Sequence, residues 1–143
     1  MKIYFDTNII IDILEQRQPY LRYSGDVFLM VINGQIDGII GASSITDVYY
    51  IVRKSRKDSK LALSAVLDLL ETLTLVDTTI QDIYTATASP VTDFEDAVIA
   101  ATSQRETADY IITRNAGDFV NSPIPALSPE DFLIQYAKED AGN

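Results

Sequence analysis

Near its N-terminus the chain reads Lys2-Ile3-Tyr4-Phe5-Asp6-Thr7-Asn8-Ile9-Ile10-Ile11-Asp12, and this stretch sets the expected fold. Lys2 to Phe5 is short and rich in strand-forming residues, and polar residues follow at once, which is typical of a strand that ends at a loop. Ile9 to Leu14 then has the pattern of a short helix. A short apolar strand that leads directly into a helix is the opening unit of an α/β fold.

The same alternation continues along the chain. Further strands are expected at Asp37 to Gly41, Leu73 to Val76 and Tyr110 to Thr113. Helices are expected from Pro19, at Ser44 to Lys54, Asp58 to Leu73, Thr79 to Ala88 and Asp93 to Arg105, and from Ser128. Thr92 and Glu95 predict a capping box at the start of the fifth of these helices. This order predicts an α/β sandwich with a central, mostly parallel sheet in a single domain, residues 1–136, followed by a flexible tail, residues 137–143.

Composition narrows the possible chemistry. The 143 residues contain neither His nor Cys, which excludes Ser-His-Asp and Cys-His catalysis and the usual tetrahedral zinc sites. It also excludes disulfides, in agreement with a reducing cytoplasm, which is the expected location. No signal peptide, membrane span or nucleotide cofactor is expected. Oxygen ligands remain, and they suit hard cations such as Mg²⁺ or Mn²⁺.

Charge bears on whether the protein can bind a phosphate substrate. With 21 acidic and 11 basic residues the formal net charge is −10, so a nucleic acid needs a local basic surface or bound cations. The segment from Arg53 to Lys60 is such a surface: Arg53, Arg56 and Lys60 share one helical face if the helix continues through Ser55. A solvated turn between helices is the competing interpretation. With no Trp and no RRM-type mixture of aromatic and basic residues, no base-stacking platform is expected.

Carboxylates lie in four separate segments at predicted strand ends or helix starts. They are Asp6, Asp47, the pair Asp93 and Asp96, and Asp118. In an open α/β sheet these positions meet at the edge where ligands bind. Like charges brought together there repel each other unless a divalent cation compensates them. The pattern therefore predicts a metal site able to hold a phosphodiester and to activate water.

Most of these acids also have a structural interpretation. Asp6 could cap the following helix. Asp47 could complete a capping box with Ser44. Asp93 could favour a helix N-terminus through the macrodipole, and Asp118 could be an ordinary turn residue. Asp96 has the weakest structural explanation, which makes it the strongest single candidate.

Four segments carry a resemblance to a known family. They are Phe5-Asp6-Thr7-Asn8-Ile9-Ile10-Ile11-Asp12, Ser44-Ile45-Thr46-Asp47-Val48-Tyr49-Tyr50, Asp93-Phe94-Glu95-Asp96-Ala97-Val98-Ile99-Ala100-Ala101, and Ile112-Thr113-Arg114-Asn115 with Asp118-Phe119. In this order they resemble the signature segments of PIN-domain proteins. The likeness extends from residue 3 to about residue 135.

The resemblance implies a Rossmann-like sandwich and a Mg²⁺- or Mn²⁺-dependent endoribonuclease. It implies that Asp6, Asp47, Asp96 and Asp118 line the metal pocket, supported by polar side chains at Thr7, Asn8, Thr113 and Asn115. Arg114, within the fourth segment, could contact the scissile phosphate or be an ordinary surface residue. Many prokaryotic members are toxins that pair with an antitoxin protein and form homodimers, so both partners are expected here. The second acidic position is more often Glu in the family, and Asp47 has a shorter side chain.

Other functions remain open at this stage. A catalytically inactive member of the same fold could bind RNA or protein without cleaving it, and Asp47 and the acidic surface favour this alternative. A phosphoacceptor receiver domain needs adjacent acids after the first strand, where only Asp6 is present. A haloacid-dehalogenase-type phosphatase needs a second Asp at the position of Asn8.

Overall fold

The computed structural model describes all residues, 1–143, as one parallel sheet with helices on both faces. The strands are β1 (Lys2–Phe5), β2 (Asp37–Gly41), β3 (Thr74–Val76), β4 (Tyr110–Ile112) and β5 (Ala126–Leu127). The helices are α1 (Thr7–Leu14), α2 (Leu21–Ile32), α3 (Ala42–Arg56), α4 (Ser59–Thr72), α5 (Ile80–Thr87), α6 (Phe94–Arg105) and α7 (Pro129–Ala141), and a 3₁₀ turn spans Ala116–Phe119. The expected α/β sandwich is confirmed.

The order of the strands creates the site. The sheet runs β3-β2-β1-β4-β5, and all four neighbouring pairs are parallel. From β1 the chain first builds outward through β2 and β3, and it then returns to the other side of β1 with β4. Ligands of open α/β folds bind at such a switch point, beyond the carboxyl ends of the strands. Here that place lies just after Phe5 and Ile112, which are register partners.

Both faces of the sheet are buried, which explains the continuous apolar strands. Ile3 and Phe5 of β1 belong to a core shared with α1 to α4 and α7. Tyr4, between them, points into a second core that includes Ile39 and Ile111 and packs against α6. Side chains alternate across a strand, so β1 supplies apolar groups to both layers.

Gly38 is required by the close packing between β2 and its neighbours. A Cβ at this position would lie 2.7 Å from Leu73 Cδ2, 2.9 Å from Phe5 Cε2 and 3.0 Å from Val31 Cγ2. We expect Gly38→Ala to lower the free energy of unfolding by about 1–3 kcal/mol, because all three neighbours belong to the core and must shift. Urea denaturation measures this. Gly117→Ala is the control, since a Cβ there meets nothing within 4 Å; an equal loss in both variants contradicts the packing argument.

Several element boundaries differ from the sequence predictions. Helix α3 already begins at Ala42, because buried β2 runs into it without a loop, and Ser44 therefore lies inside the helix. The predicted capping box of Ser44 and Asp47 is wrong. The short strand β5 and the 3₁₀ turn were not predicted, because each is too short for hydrophobic periodicity to show. Helix α7 continues to Ala141, into the segment expected to be a tail.

An ion pair between buried Asp82 of α5 and exposed Arg105 of α6 joins these two helices. The Asp82 carboxylate accepts a 3.0 Å hydrogen bond from Arg105 Nε on α6 and one of 3.0 Å from the Thr79 amide. Asp82 is only 2% exposed.

The fold contains no helix that is both long and apolar enough to cross a membrane.

Candidate active site

The switch point brings Asp6 and Thr113 together. Asp6 directly follows β1, and its amide donates a 2.9 Å hydrogen bond to the carbonyl of Ile112 on β4. Thr113 directly follows β4, and its hydroxyl donates a 2.8 Å hydrogen bond to Asp6 Oδ2. Both residues are buried. Asp6 occupies the N-cap position of α1, but its side chain makes no capping hydrogen bond, so its carboxylate is available to the site.

A cleft of about 330 Å³ lies against these two strand ends. Its polar lining comes from four segments of the chain: Asp6, Thr7, Asn8, Asp47, Glu95, Asp96 and Asn115. Thr7 and Asn8 begin α1, and Asp47 is an exposed residue of α3. The backbone N–H of Asn115 donates a 3.1 Å hydrogen bond to the Thr113 hydroxyl, which ties the loop after β4 to the site. The fold thus brings together most of the residues that the sequence singled out.

The start of α6 carries the rest of the acidic set. Asp93 is the N-cap of α6, and its Oδ1 accepts a 3.0 Å hydrogen bond from the Asp96 amide. The capping box predicted for Thr92 and Glu95 is therefore wrong, because the helix begins one residue later than that pattern requires. Asp96 lines the first cleft and also a second one of about 480 Å³. Asp93 and Asp118 line the second cleft, so Asp96 stands between the two acidic groups.

Negative charge in this region is not compensated. Neither cleft has a Lys or Arg in its lining. Burial raises the pKa of Asp96 to about 6, and the carboxylates of Asp93, Asp6 and Asp118 add to this. Burial also raises the pKa of Asp6, although the hydrogen bond from Thr113 opposes the shift. Crowded carboxylates of this kind bind protons, or cations, more readily than isolated ones do.

The donor set fits a hard divalent cation, because it consists of carboxylate, hydroxyl and amide oxygens without nitrogen or sulfur ligands. Burial and the neighbouring carboxylates raise the pKa of Asp96 to about 6, so its negative charge is disfavoured without a cation. As the side chains stand, no group of three acidic residues is close enough together to hold one ion. Binding by three carboxylates therefore requires side-chain rotation.

The basic candidates lie outside both clefts. Helix α3 ends at Arg56 because Lys57 takes a left-handed conformation with φ of 55°. Lys60 consequently belongs to α4, and the predicted single face of Arg53, Arg56 and Lys60 is wrong. Arg56 also lies 3.6 Å from the Glu15 carboxylate. All three side chains are exposed.

Arg114 does not line the acidic cleft. Its Nε lies 2.9 Å from Oδ2 of Asp12, and its guanidinium stacks 4.2 Å above the ring of Tyr20. Sequence reasoning had offered it as a ligand of the scissile phosphate, or as an ordinary surface residue. The long side chain reaches across α1 instead, away from the neighbouring Asn115.

Sequence reasoning missed some residues of the cleft. Glu95, which the sequence assigned only to a capping box, lines the cleft beside Asp96. Tyr50 and Ile51 of α3 form part of the wall, as do Ile11 and Ile99. Helical spacing could have found Tyr50 and Ile51, because residues three and four positions after Asp47 lie on the same face.

Comparison with known proteins now identifies the family. The family model for the PIN domain matches residues 2–117, most of the chain. This chain belongs to the PIN-domain family. Ribonuclease VapC1 of Aquifex aeolicus (strain VF5) is 25% identical to this PIN domain over 140 residues, covering 94% of this chain and 95% of the relative.

Solved structures show the same fold. The structure of VapBC2 from Rickettsia felis, bound to a DNA fragment from its promoter, matches with a TM-score of 0.69 and 19% identity, covering 90% of this chain and 98% of that chain. VapC20 of Mycobacterium tuberculosis, a toxin that cleaves the sarcin-ricin loop, matches with a TM-score of 0.61 and 12% identity, covering 76% and 86%. At these low sequence identities, the similarity shows only that the fold is shared.

Proposed function

We propose that this PIN domain is an endoribonuclease dependent on Mg²⁺ or Mn²⁺ and the toxin of a toxin–antitoxin pair. The observation that carries the proposal is the uncompensated group of carboxylates that four segments deliver to the switch point of the sheet. Membership of the family, and the similarity to a ribonuclease over nearly the whole chain, support it. Asp6, Asp47, Asp96 and Asp118 would hold the ion.

Each part of the site has a distinct task in this proposal. Thr113 holds the carboxylate of Asp6 in place through its 2.8 Å hydrogen bond. Asp93 fixes the first turn of α6 and with it the position of Asp96. The side chains of Thr7, Asn8 and Asn115 offer hydrogen bonds to the phosphate and ribose of an RNA in the cleft. Asp96 lines both clefts, so its carboxylate would hold the ion where the two acidic groups meet.

When bound, a divalent ion supplies the positive charge that draws an RNA phosphate into an acidic cleft and acidifies a water near it. Farther out, exposed Arg53 and Lys60 offer charge to the backbone on its way to the cleft. Arg56 shares its charge with Glu15. Backbone charges of this kind raise affinity without reading sequence.

We further propose an antitoxin protein and a second copy of this chain as partners, and the cytoplasm as the location. Solved relatives in the same fold include a toxin–antitoxin complex from Klebsiella pneumoniae. Large apolar side chains that are more than half exposed, among them Leu61, Leu63 and Leu67, provide area for such contacts. Sedimentation of the purified chain, with and without a co-expressed antitoxin, tests both partners.

A cleavage time course tests the enzymatic proposal. The purified chain is incubated with a mixture of structured RNAs in Mg²⁺, in Mn²⁺ or in EDTA. We expect discrete fragments with either metal and none in EDTA, because the carboxylates alone repel the phosphate. Restoring excess Mg²⁺ to the EDTA sample should restore cutting. Equal cleavage in EDTA contradicts the metal-dependent mechanism.

Asp47 offers a second prediction, because its side chain is shorter than the Glu that is more common in the family. We expect Asp47→Glu to keep metal-dependent cleavage within about tenfold of wild type, since its added methylene keeps the charge and extends its reach. We expect Asp47→Asn to lose more than about tenfold, because a ligand charge disappears. Initial cleavage rates at saturating Mg²⁺ measure both, and equal losses in the two variants contradict a ligand role for Asp47.

One observation favours a second candidate, an RNA- or protein-binding module without catalysis. No three acidic side chains are arranged to hold one ion as they stand, and Asp47 is exposed. This candidate predicts RNA binding without turnover in any divalent metal. Metal-dependent cleavage by wild type excludes it.

A further inference from the structure

A third pocket, which shares no lining residue with the two acidic clefts, lies around Arg114. Its volume is about 280 Å³, near the lower end of the range of ligand pockets. Tyr20, Tyr23 and Ser24 line one wall, and Arg114 together with the start of α7 lines the other. Aromatic, cationic and hydroxyl groups thus converge in one place, in contrast to the two acidic clefts.

The centre of this pocket is a stacked pair, which we call the Tyr20–Arg114 platform. The guanidinium carbon of Arg114 lies 4.2 Å from the centroid of the Tyr20 ring. The Tyr20 residue is 41% exposed, and the Arg114 side chain is 26% exposed. A flat, partly exposed tyrosine–arginine pair is a surface on which nucleobases stack.

The platform is held from below by Asp12, which is completely buried. Asp12 Oδ2 lies 2.9 Å from Arg114 Nε and Oδ1 lies 3.8 Å from Arg17. None of these contacts has the alignment of a hydrogen bond, and Arg114 Nε is left without a partner. Charge and stacking therefore hold the guanidinium in place through its buried Nε side, while the two terminal Nη groups can bind a phosphate.

Ser24 gives an independent sign that a ligand belongs here. Ser24 lines the pocket and is 1% exposed, and its buried hydroxyl has no hydrogen-bond partner. A buried hydroxyl that is left unpaired costs free energy, and native proteins usually satisfy it. A polar group of a ligand in the pocket can supply the missing partner.

The sequence around Tyr20 reads Arg17-Gln18-Pro19-Tyr20-Leu21-Arg22-Tyr23, with basic and aromatic residues interleaved. Arg22 also lies 5.2 Å from the ring of Tyr23. This segment differs from the RRM type, whose absence led to the expectation that the chain has no base-stacking platform. The sequence did not indicate the Tyr20–Arg114 platform because its two residues lie far apart in the chain.

The pocket is connected to the active site through the loop after β4. Arg114 lies between Thr113, which is bound to Asp6, and Asn115, which lines the acidic cleft. Asp12 lies six residues after Asp6, or roughly 9 Å along the axis of α1. A single-stranded RNA whose phosphate lies in the acidic cleft can reach the platform with a neighbouring nucleotide.

We propose that the Tyr20–Arg114 platform binds a nucleotide of the RNA that flanks the cleaved bond. The base stacks on the platform, the terminal Nη groups of Arg114 bind its phosphate, and the Ser24 hydroxyl binds a polar atom of the base or ribose. This inference rests on the proposed ribonuclease function. It makes the platform a determinant of which RNA is cut, since the acidic cleft binds only backbone.

Binding of a short, fluorescently labelled single-stranded RNA of mixed sequence tests the platform. The measurement is made in Mg²⁺ with otherwise wild-type protein as the parent, and the RNA carries phosphorothioate linkages, so that cleavage does not interfere. We expect Tyr20→Ala to weaken binding about five- to hundredfold, which is the range found when one base-stacking aromatic is removed. Tyr20→Phe keeps the ring and should bind nearly as tightly as the parent. Arg114→Lys keeps the positive charge but loses the planar guanidinium, and it should weaken binding.

Tyr84→Ala is the matched control, because Tyr84 is an exposed tyrosine on α5, far from this pocket in the chain. We expect its RNA affinity and cleavage rate to equal those of the parent. A second readout is an RNA with fluorescent 2-aminopurine beside the cleaved bond, whose emission stacking quenches. Quenching by the parent and by Tyr20→Phe, but not by Tyr20→Ala, supports the platform.

The outcomes separate the two proposals. If wild type cleaves RNA but Tyr20→Ala binds as tightly as its parent, the platform proposal is overturned and the ribonuclease proposal stands. If RNA binds and Tyr20→Ala weakens it, while wild type cleaves nothing in any metal, the platform is supported and catalysis is not. If no RNA binds at all, both are overturned. Thermal unfolding of each variant shows whether a loss of binding comes from loss of the fold.

Discussion

Replacing Asp96 with Asn is expected to abolish RNA cleavage and at the same time to stabilise the metal-free protein. Cleavage should fall by at least about hundredfold, because the only acid that lines both clefts loses its charge. Stability should rise by about 1–2 kcal/mol at neutral pH, because the charged form of Asp96 is disfavoured by burial and by Asp93, Asp6 and Asp118. Calorimetric unfolding in EDTA measures the second effect.

The sign of the pH dependence follows from the same shift. The pKa of Asp96 is raised to about 6 in the folded protein, above its usual value near 4. The folded state therefore binds the proton more tightly, and metal-free wild type should gain stability as the pH falls from about 6 towards 4. Asp96→Asn should lack this gain.

Asp96→Asn should be more stable than wild type without metal, and wild type should be the more stable of the two in Mg²⁺. An ion that binds only the folded protein raises its unfolding temperature, so Mg²⁺ should stabilise wild type and have a much smaller effect on Asp96→Asn. Asp26→Asn, which removes an exposed acid from α2, is the matched control and should respond as wild type does. An identical response to Mg²⁺ in wild type and Asp96→Asn is incompatible with Asp96 as a metal ligand.

The second large effect is expected at Asp82, outside the site. Asp82→Ala should lower the free energy of unfolding by about 2–4 kcal/mol, because it leaves Arg105 without its buried partner and opens the capping box with Thr79. Asp77→Ala is the control. Asp77 lies 3.1 Å from the same guanidinium, but its side chain is 75% exposed, and its removal should cost less than about 1 kcal/mol.

Acid should remove the contribution of Asp82 to the free energy of unfolding. Burial by itself raises the pKa of Asp82, but the hydrogen bonds from Arg105 and Thr79 outweigh it and hold the pKa below its usual range. The stabilisation is therefore complete above the unfolded pKa near 4 and is lost as the pH falls through the lower folded pKa. Urea titrations of wild type and Asp82→Ala should converge in strong acid. A difference that stays constant from pH 7 to strong acid would contradict the ion-pair explanation.

The fold was predictable from the sequence because its strands are buried on both faces. Continuous apolar stretches such as Ile3 to Phe5, each ending at a polar residue, indicate a parallel sheet without knowledge of the strand order. The same pattern placed Asp6 and Thr113 at strand ends. It could not show that β1 and β4 are neighbours, and that pairing makes the hydrogen bond between these two residues possible.

The parts that were mispredicted or left open depend on exact helix ends or on long side chains. Whether Lys60 continues the face of Arg53 depends on one left-handed residue, Lys57, and local propensity does not decide this. Arg114 could reach either the scissile phosphate or Asp12 from its place in the sequence. Only the packing of α1 and α2 shows that it stacks on Tyr20.

The central claim is that carboxylates gathered at the switch point hold a metal ion and that this arrangement cleaves RNA. Its most direct test is a side-by-side time course of wild type and Asp96→Asn on the same mixture of structured RNAs in Mg²⁺, with both proteins shown to be folded. We predict discrete, Mg²⁺-dependent fragments from wild type and none from Asp96→Asn. Equal cleavage by the two proteins would contradict the claim.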